Sequence, residues 1–385
     1  MPSSKILSLV NIRSLPSDLQ KLLDESITIL KGAEEKDFQA LEKQGITKIK
    51  NLIQIENFEK VEQVINSMTL EKLVTTARII ASTIQSKGEI LGKKVIIAGL
   101  DAAGKTTIIK TILNPINYKP GDEKPTQGVE TNQLELFGFD VNLWDLGGQS
   151  LYRSEYLGKG SERHFGFTNL FVFVIDVQAP KRFEEAIDYL KRIIEIYKHL
   201  EEEPYCLILI HKSDPDFNQN DIKKRTDEIT QKIKKFLVGF PVSFHNTSVH
   251  NRTALFLAFS KGIREISMVK EILIGILNTF QRKIKSNYLG LYNKTGICMA
   301  ETGDIGEFLK NFTINIILGE ELNIFPAEAS KLILALKDGA FCIIERIEMA
   351  KERLYLVCKG RENPDALIHP PLFGEMEPWI INFLD

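Results

Sequence analysis

Residues 94–107 read Lys94-Val95-Ile96-Ile97-Ala98-Gly99-Leu100-Asp101-Ala102-Ala103-Gly104-Lys105-Thr106-Thr107, and this stretch decides the fold. Val95–Ala98 is a continuous apolar run of strand length, and Thr106–Leu113 carries apolar residues at helical spacing. Between them lies the pattern G-x-x-x-x-G-K-[ST], in the strand–loop–helix context that gives it meaning. Gly99 and Gly104 let the loop wrap an anion closely. Its backbone N–H groups and the helix N-terminus face that anion. Gly99, Asp101, Ala102, Ala103, Gly104, Lys105, Thr106 and Thr107 are therefore expected to line a phosphate site. Lys105 reaches toward the outer phosphates, and the Thr106 hydroxyl is a Mg²⁺ ligand.

Working outward, a second apolar strand, Val141–Trp144, ends in Asp145-Leu146-Gly147-Gly148-Gln149. A carboxylate at that strand end is placed to hold Mg²⁺. Gly147 and Gly148 let the backbone swing so that an N–H meets the terminal phosphate, and Gln149 can orient an attacking water. Upstream, Lys124-Pro125-Thr126-Gln127-Gly128 offers Thr126 as a metal-sensing hydroxyl, with Thr131 as a nearby competitor. A hairpin, Glu130–Leu136 turning through Phe137-Gly138-Phe139-Asp140, joins Thr126 to Asp145. The metal set is thus Thr106, Thr126 and Asp145, and the catalytic pair Lys105 and Gln149.

After the strand Cys206–Ile210 comes His211-Lys212-Ser213-Asp214. The Asp214 carboxylate can accept hydrogen bonds from guanine N1 and its 2-amino group. Adenine has no such donor pair, so Asp214 selects GTP over ATP. The stem of Lys212 can pack over the purine, and Asn246-Thr247-Ser248-Val249 puts Ser248 and Val249 where a backbone N–H meets guanine O6. His245 and His250 read as solvated or packed imidazoles rather than a metal pair.

The flanks differ. Residues 1–90 read as helices: Ser17-Asp18 capping one through Leu30, Glu34-Glu35 opening one through Lys43, then Ile46–Ile53, Asn57–Met68 and Leu70–Ser86. Leu30–Leu52 resembles helix-hairpin-helix folds. Its hairpin, Gly32-Ala33-Glu34-Glu35, is acidic, and twelve Lys/Arg balance twelve Asp/Glu over these ninety residues. An interaction module is the reading, not a DNA-binding one. From residue 91 to 266, apolar strands (Leu170–Val177 among them) alternate with helical patterns at Arg182–Tyr197, Asp221–Phe236 and Arg252–Ile266, the signature of a largely parallel α/β sheet. Residues 267–385 give a helix at Lys270–Lys283, then Tyr288–Tyr292, Gly296–Glu301, Lys331–Leu336, Ala340–Ile347 and Arg353–Cys358 as hairpin strands. This is a small α+β domain.

Net charge is −2, which gives no global attraction to nucleic acid or an anionic membrane. Cys206, Cys298, Cys342 and Cys358 form no C-x-x-C pair and read as reduced, buried thiols. Met1–Leu7 is a poor signal peptide, and no common lipid-anchor motif is present. The expectation is a cytoplasmic protein, with peripheral membrane contact left open.

Taken together, these motifs resemble the Ras-like GTPase superfamily. Gly99–Thr107, Pro125-Thr126 and Trp144–Gln149 resemble the Arf family. Asn142–Asp145, Phe173–Val177, Ile210–Asp214 with His211 in place of the usual Asn, and Asn246–Val249 resemble the Rag/Gtr GTPases. The resemblance spans roughly Gly92 to Ile266. It implies an α/β P-loop GTPase domain, a GTP/GDP switch with Mg²⁺, slow hydrolysis and activating and exchange proteins. It also implies a roadblock- or longin-like C-terminal domain that pairs with itself or another subunit. His211 is expected to keep one of the hydrogen bonds Asn would make. Arg153 and Arg163 read as surface ion pairs, so no arginine in cis serves the transition state. Two alternatives remain: a scaffold with structural GTP, argued against by Gln149, and an ATPase, argued against by Lys212 and Asp214.

Overall fold

The computed structural model describes residues 10–55 apart from 13, 17 and 32, scattered positions between 60 and 84, and residues 93–361 apart from 116–117, 122, 137–138, 268–269, 320–330 and 349–352.

The N-terminal segment holds two 3-10 turns, Leu19–Asp24 and Ile27–Ile29, then helices α1 (Glu35–Glu42) and α2 (Ile49–Ile53). The single helix expected from Ser17 to Leu30 is corrected here. Asp18 caps the first turn through the Gln20 N–H, and Ser26 restarts the chain by accepting from the Thr28 N–H. The Ile27 N–H instead donates to the Thr47 carbonyl at 3.1 Å. Ser and Asp side chains compete for backbone donors, and here they divide the helix. The helix expected from Ile46 begins only at Ile49, because the Asn51 side chain accepts from the Thr47 and Lys48 N–H groups. The helices expected at Asn57–Met68 and Leu70–Ser86 lie largely outside the described residues. Leu70, Leu73, Val74, Ala77, Ile80 and Ile84 are described, and they join Leu22, Ile27, Leu41 and Ile49 in one buried cluster.

The central sheet has six strands: β1 (Lys93–Gly99), β2 (Val129–Leu136), β3 (Phe139–Leu146), β4 (Leu170–Asp176), β5 (Tyr205–His211) and β6 (Val242–Asn246), in the order β2-β3-β1-β4-β5-β6. Only the β2–β3 hairpin is antiparallel. Helix α3 (Lys105–Leu113) follows β1, α4 (Ser150–Tyr156) and α5 (Ser161–Phe165) follow β3, α6 (Phe183–His199) follows β4, α7 (Gln219–Lys234) follows β5 and α8 (Arg252–Ile266) follows β6.

Strands buried on both faces must be apolar throughout, and the alternation divides them cleanly. Val95, Ile97, Val172 and Val174 face Ile108 and Ile112 of α3 and Leu255, Phe256 and Phe259 of α8. Ile96, Ala98, Phe171 and Phe173 face Tyr189, Ile193 and Tyr197 of α6. Each buried Val, Ile, Leu or Phe among them contributes about 1.5–3 kcal/mol. The core therefore holds the strand ends, where the loops sit, in a fixed layout.

The C-terminal sheet is antiparallel, with β7 (Tyr288–Asn293), β8 (Cys298–Gly303), β9 (Lys331–Ala335), β10 (Phe341–Glu348) and β11 (Arg353–Gly360) in the order β8-β7-β11-β10-β9. Helices α9 (Lys270–Lys283) and α10 (Glu307–Leu318) complete it. Sequence reading gave α9 and the strands but not α10, whose ends are marked by Gly306 and by Gly319 at φ +69°. One hydrophobic cluster runs without a break from Val95 through Phe256 of α8 to Leu291, Ile317 and Leu356. At the same seam Arg264 of α8 pairs with Glu301 at 2.7 Å, and Thr253 bonds Asn315 at 3.1 Å. No helix among the described residues is long and apolar enough to cross a membrane.

Candidate functional site

Parallel strands deliver their carboxyl ends to one edge, where ligands of open α/β sheets bind. The loop after β1 lies there. Gly99 sits at φ +151°, and a Cβ on it would lie 2.3 Å from the Val174 carbonyl oxygen. Gly104, at φ +96°, begins α3, and a Cβ there would meet the His211 ring at 2.7 Å. Both glycines are required by close approach. Ala102 is also left-handed, at φ +58°.

Lys105 is buried. Its Nζ donates to the Gly99 and Leu100 carbonyls at 3.1 and 2.9 Å. Burial pushes its pKa down to about 8, against the opposing pull of Asp145 and Asp101. An ammonium held by neutral carbonyls out of water has its largest electrostatic deficit unmet, and an anion in the loop would meet it.

Beside it three side-chain oxygens converge. Thr106 Oγ1 lies 2.7 Å from Thr126 Oγ1 and 2.7 Å from Asp145 Oδ2, and Thr126 Oγ1 lies 3.0 Å from the same carboxylate oxygen. Ligands at adjacent corners of a Mg²⁺ octahedron, about 2.0–2.1 Å from the ion, stand roughly 2.9 Å apart. The second oxygen of Asp145 is buried without a partner among the described residues. Burial, chiefly, raises the Asp145 pKa. Hard oxygens, one of them a buried carboxylate with an unmet valence, fit a small divalent cation. Thr131, the competitor for this role, sits within β2 paired with Trp144.

The glycine pair is closed onto the phosphate loop. The Gly148 carbonyl accepts from the Asp101 N–H at 3.1 Å, and the Gly147 N–H donates to the Gly128 carbonyl at 2.9 Å. A Cβ on Gly148 would lie 2.3 Å from the Asp101 nitrogen. Gln149 is exposed at the start of α4. Thr107 bonds Glu123 across the loop at 3.3 Å.

At the base-reading end, Lys212 Nζ donates to the Ala102 carbonyl and to Asp176 Oδ2, both at 2.8 Å. Asp214 is held from two sides: Ser248 Oγ donates to Oδ1, and Gln178 Nε2 donates to Oδ2 at 2.9 Å. His211 is fully buried, its Nδ1 3.0 Å from Thr247 Oγ1. Val249 is half-buried in the same loop. Every residue expected at the phosphate, metal and base positions thus comes to this one edge of the sheet.

Four residues there were not singled out for the site. Asp176 ends β4 and Gln178 sits in the turn after it, with no motif to mark either. Thr247 lies in Asn246–Val249, where the local pattern gives its side chain no role. Arg182 pairs with Asp101 at 2.6 Å and donates to its carbonyl at 3.1 Å. The Arg182 guanidinium lowers the Asp101 pKa. Arg153, expected as a surface ion pair, does pair with Glu185, but it is mostly buried and stacks over Tyr189 at 5.3 Å.

A largely parallel sheet carrying a glycine-lined phosphate loop after its first strand, a carboxylate at the end of its third and an Asp-bearing base loop after its fifth defines a Ras-like small GTPase. The model of the Gtr1/RagA G protein conserved region matches residues 94–311, more than half of the chain. The chain belongs to the Gtr1/RagA G protein family. It is also similar to the ADP-ribosylation factor-like protein alp41 of Schizosaccharomyces pombe, 33% identical over 121 residues. ADP-ribosylation factor F of Dictyostelium discoideum is 31% identical over 124 residues. Each match covers 31% of this chain and 60% of the relative, so the chain spans about three-fifths of the length of these curated relatives. Among solved structures, the Arl6 BBS3 small GTPase of Trypanosoma brucei with the bound nucleotide analogue GppNp is matched at a TM-score of 0.36 and 17% identity, over 45% of this chain and 96% of that one.

Proposed function

We propose that this protein binds GTP and GDP with Mg²⁺ and works as a slow GTP-hydrolysing switch that recruits partners in its GTP state. The observation that carries this reading is the convergence of Thr106, Thr126 and Asp145 beside the buried Lys105 ammonium. Those three side chains would hold Mg²⁺, which when bound would supply positive charge against the phosphates. Thr106 and Asp145 would hold the ion in either state. Thr126 would join it when the terminal phosphate is present and release it afterwards, carrying its loop along.

Around that centre, the backbone of Gly99–Thr107 would cradle the phosphates, and Gly148 would present its N–H to the terminal phosphate. Gln149 would orient the attacking water. His211, Lys212, Asp214, Ser248 and Val249 would read the guanine. Arg182, at the phosphate loop, is engaged by Asp101 and Glu185, and Arg153 by Glu185, so an activating protein that inserts a further arginine is part of the reading, and an exchange protein its counterpart.

We read residues 91–266 as the GTPase domain, 1–90 as a helical interaction module and 267–385 as a roadblock- or longin-like domain that pairs in a homo- or heterodimer. Among the described residues β8 and β9 are the free edges of the C-terminal sheet, and Phe308 is exposed on α10, both of which support pairing there. Four unpaired, buried cysteines support a reducing, cytoplasmic setting.

Single-turnover GTP hydrolysis by the wild type and Gln149→Leu tests the switch. A slow wild-type rate that falls roughly tenfold or more in the variant, with GTP binding kept, is expected for loss of a water-orienting group. Equal rates would point instead to GTP held as a structural cofactor.

A further inference from the structure

His211 stands where most relatives of this superfamily carry Asn, and an imidazole differs from an amide in one respect that matters. A neutral imidazole has one N–H and one bare nitrogen, and which is which depends on its neighbours. Three observations fix the answer. First, Nδ1 lies 3.0 Å from Thr247 Oγ1, and this is the only hydrogen bond of that hydroxyl among the described residues. Second, Thr247 and His211 are each 1% exposed, so neither group has solvent as a substitute partner. Third, the opposite edge of the ring faces the phosphate loop: a Cβ on Gly104 would lie 2.7 Å from Cδ2 and 3.0 Å from Nε2.

If Nδ1 carried the proton, it would donate to Oγ1, and the Thr247 hydroxyl hydrogen would be buried without an acceptor. If the hydroxyl donates to Nδ1, the hydroxyl hydrogen and the Nδ1 lone pair are both paired, and the imidazole proton is forced onto Nε2. Burial, with Lys212 and His250 assisting and Asp214 and Asp176 opposing, holds the imidazole pKa down to about 4, so the ring stays neutral.

We propose that Thr247 is a positioning residue: its hydroxyl donates to His211 Nδ1 and sets the Nε2–H tautomer, whose N–H is presented to the phosphate loop at Gly104. The loop that reads the base and the loop that cradles phosphate are thereby braced through a hydroxyl–imidazole pair. The Thr247 backbone belongs to the same brace, since its N–H donates to the Ile210 carbonyl at 2.9 Å and its carbonyl accepts from the Ser213 N–H at 3.0 Å. The functional consequence, slower loss of bound nucleotide, rests on the guanine-nucleotide reading given above.

Two measurements on the full chain separate this proposal from that reading. The first needs no nucleotide binding: ¹⁵N-histidine NMR of the protein as purified, with the His211 signals assigned by their loss in His211→Asn. Wild type and Thr247→Ser should show the Nε2–H tautomer, and the isosteric Thr247→Val, which keeps shape but not the hydroxyl, should shift toward Nδ1–H or a mixture. A wild-type Nδ1–H form, or a Thr247→Val ring unchanged from wild type, overturns the proposal. Should Thr247→Val not fold, the wild-type tautomer alone decides.

The second is dissociation of fluorescent GDP. Thr247→Val is expected to release it roughly five- to tenfold faster, the loss of about one neutral hydrogen bond, and Thr247→Ser to restore the slow rate. Equal rates in wild type and Thr247→Val overturn the brace. No GDP uptake by the wild type, with the Nε2–H form present, would overturn the nucleotide reading and leave the tautomer assignment standing.

Discussion

Lys105 is an ammonium held in place ahead of its ligand. Its pKa is pushed down to about 8 by burial, below the ordinary 10.5. A phosphate chain would raise it again, so nucleotide binding should take up a proton above pH 8. Guanine-nucleotide affinity is therefore expected to hold steady below pH 8 and to fall by up to tenfold per pH unit above it. Titration calorimetry in buffers of different ionisation enthalpy checks the proton count. Removing the group is harsher. Lys105→Ala or Asp214→Ala deletes one side of a buried charged contact, a loss of about 2–5 kcal/mol, and neither variant should retain measurable GDP by equilibrium binding. Gly148→Ala acts differently. Its methyl would lie 2.3 Å from the Asp101 nitrogen and 2.6 Å from the Leu100 carbonyl oxygen. The glycine pair cannot then close on the loop, and hydrolysis should fall with GDP affinity largely kept, as seen in parallel binding and single-turnover assays.

Helix α8 links the two sheets. Its first residue, Arg252, donates to the Pro115 and Tyr118 carbonyls ahead of the Thr126 segment. Its far end places Arg264 against Glu301 and Cys298. Glu301 also takes Lys310 at 2.7 Å and the Tyr288 hydroxyl at 3.1 Å. Removing one partner of a fully buried pair costs about 3–5 kcal/mol and of an exposed pair about 1 kcal/mol or less; this part-buried pair lies between, so Arg264→Ala should lower the melting temperature measurably. The pH dependence has a definite sign. Burial opposes the Glu301 charge, but Arg264 and Lys310 hold its pKa below the ordinary 4.5. A depressed carboxylate adds stability above its unfolded pKa, and that stability is lost as pH falls through the folded value. The gap in melting temperature between wild type and Arg264→Ala should stay constant near neutrality and narrow below about pH 4.5. A gap that widens in acid would mean that Glu301 is not the partner that matters.

Across the whole molecule, the fold was legible wherever a local pattern carried a physical necessity. The strand runs Val95–Ala98 and Cys206–Ile210 and the two glycines of the phosphate loop could be read directly, because both-face burial and close backbone approach allow few alternatives. The helix expected from Ser17 to Leu30 is divided by the Asp18 and Ser26 caps, and Ser26 is held by a bridge to Lys48, further along the same chain, that no local window contains. Gln178, Arg182 and Thr247 escaped notice for the same reason. Each acts on a residue 36 to 81 positions away, and pairings of that range appear only once the sheet has formed. α10 was missed because its apolar residues wrap most of its circumference and show no clear stripe. The unbroken core from the central sheet through α8 to the C-terminal sheet has its own consequence. The strands of both sheets and α8 should lose amide protection together on heating, and GDP should protect both sheets in hydrogen exchange. Protection confined to the central sheet would mean that α8 does not couple them.

The most direct test of the central claim is equilibrium binding of fluorescent GDP to the purified chain with Mg²⁺, followed by competition. Saturable binding that excess GTP displaces and excess ATP does not is the expected result. Absence of guanine-nucleotide uptake, or displacement by ATP as effective as by GTP, would contradict it.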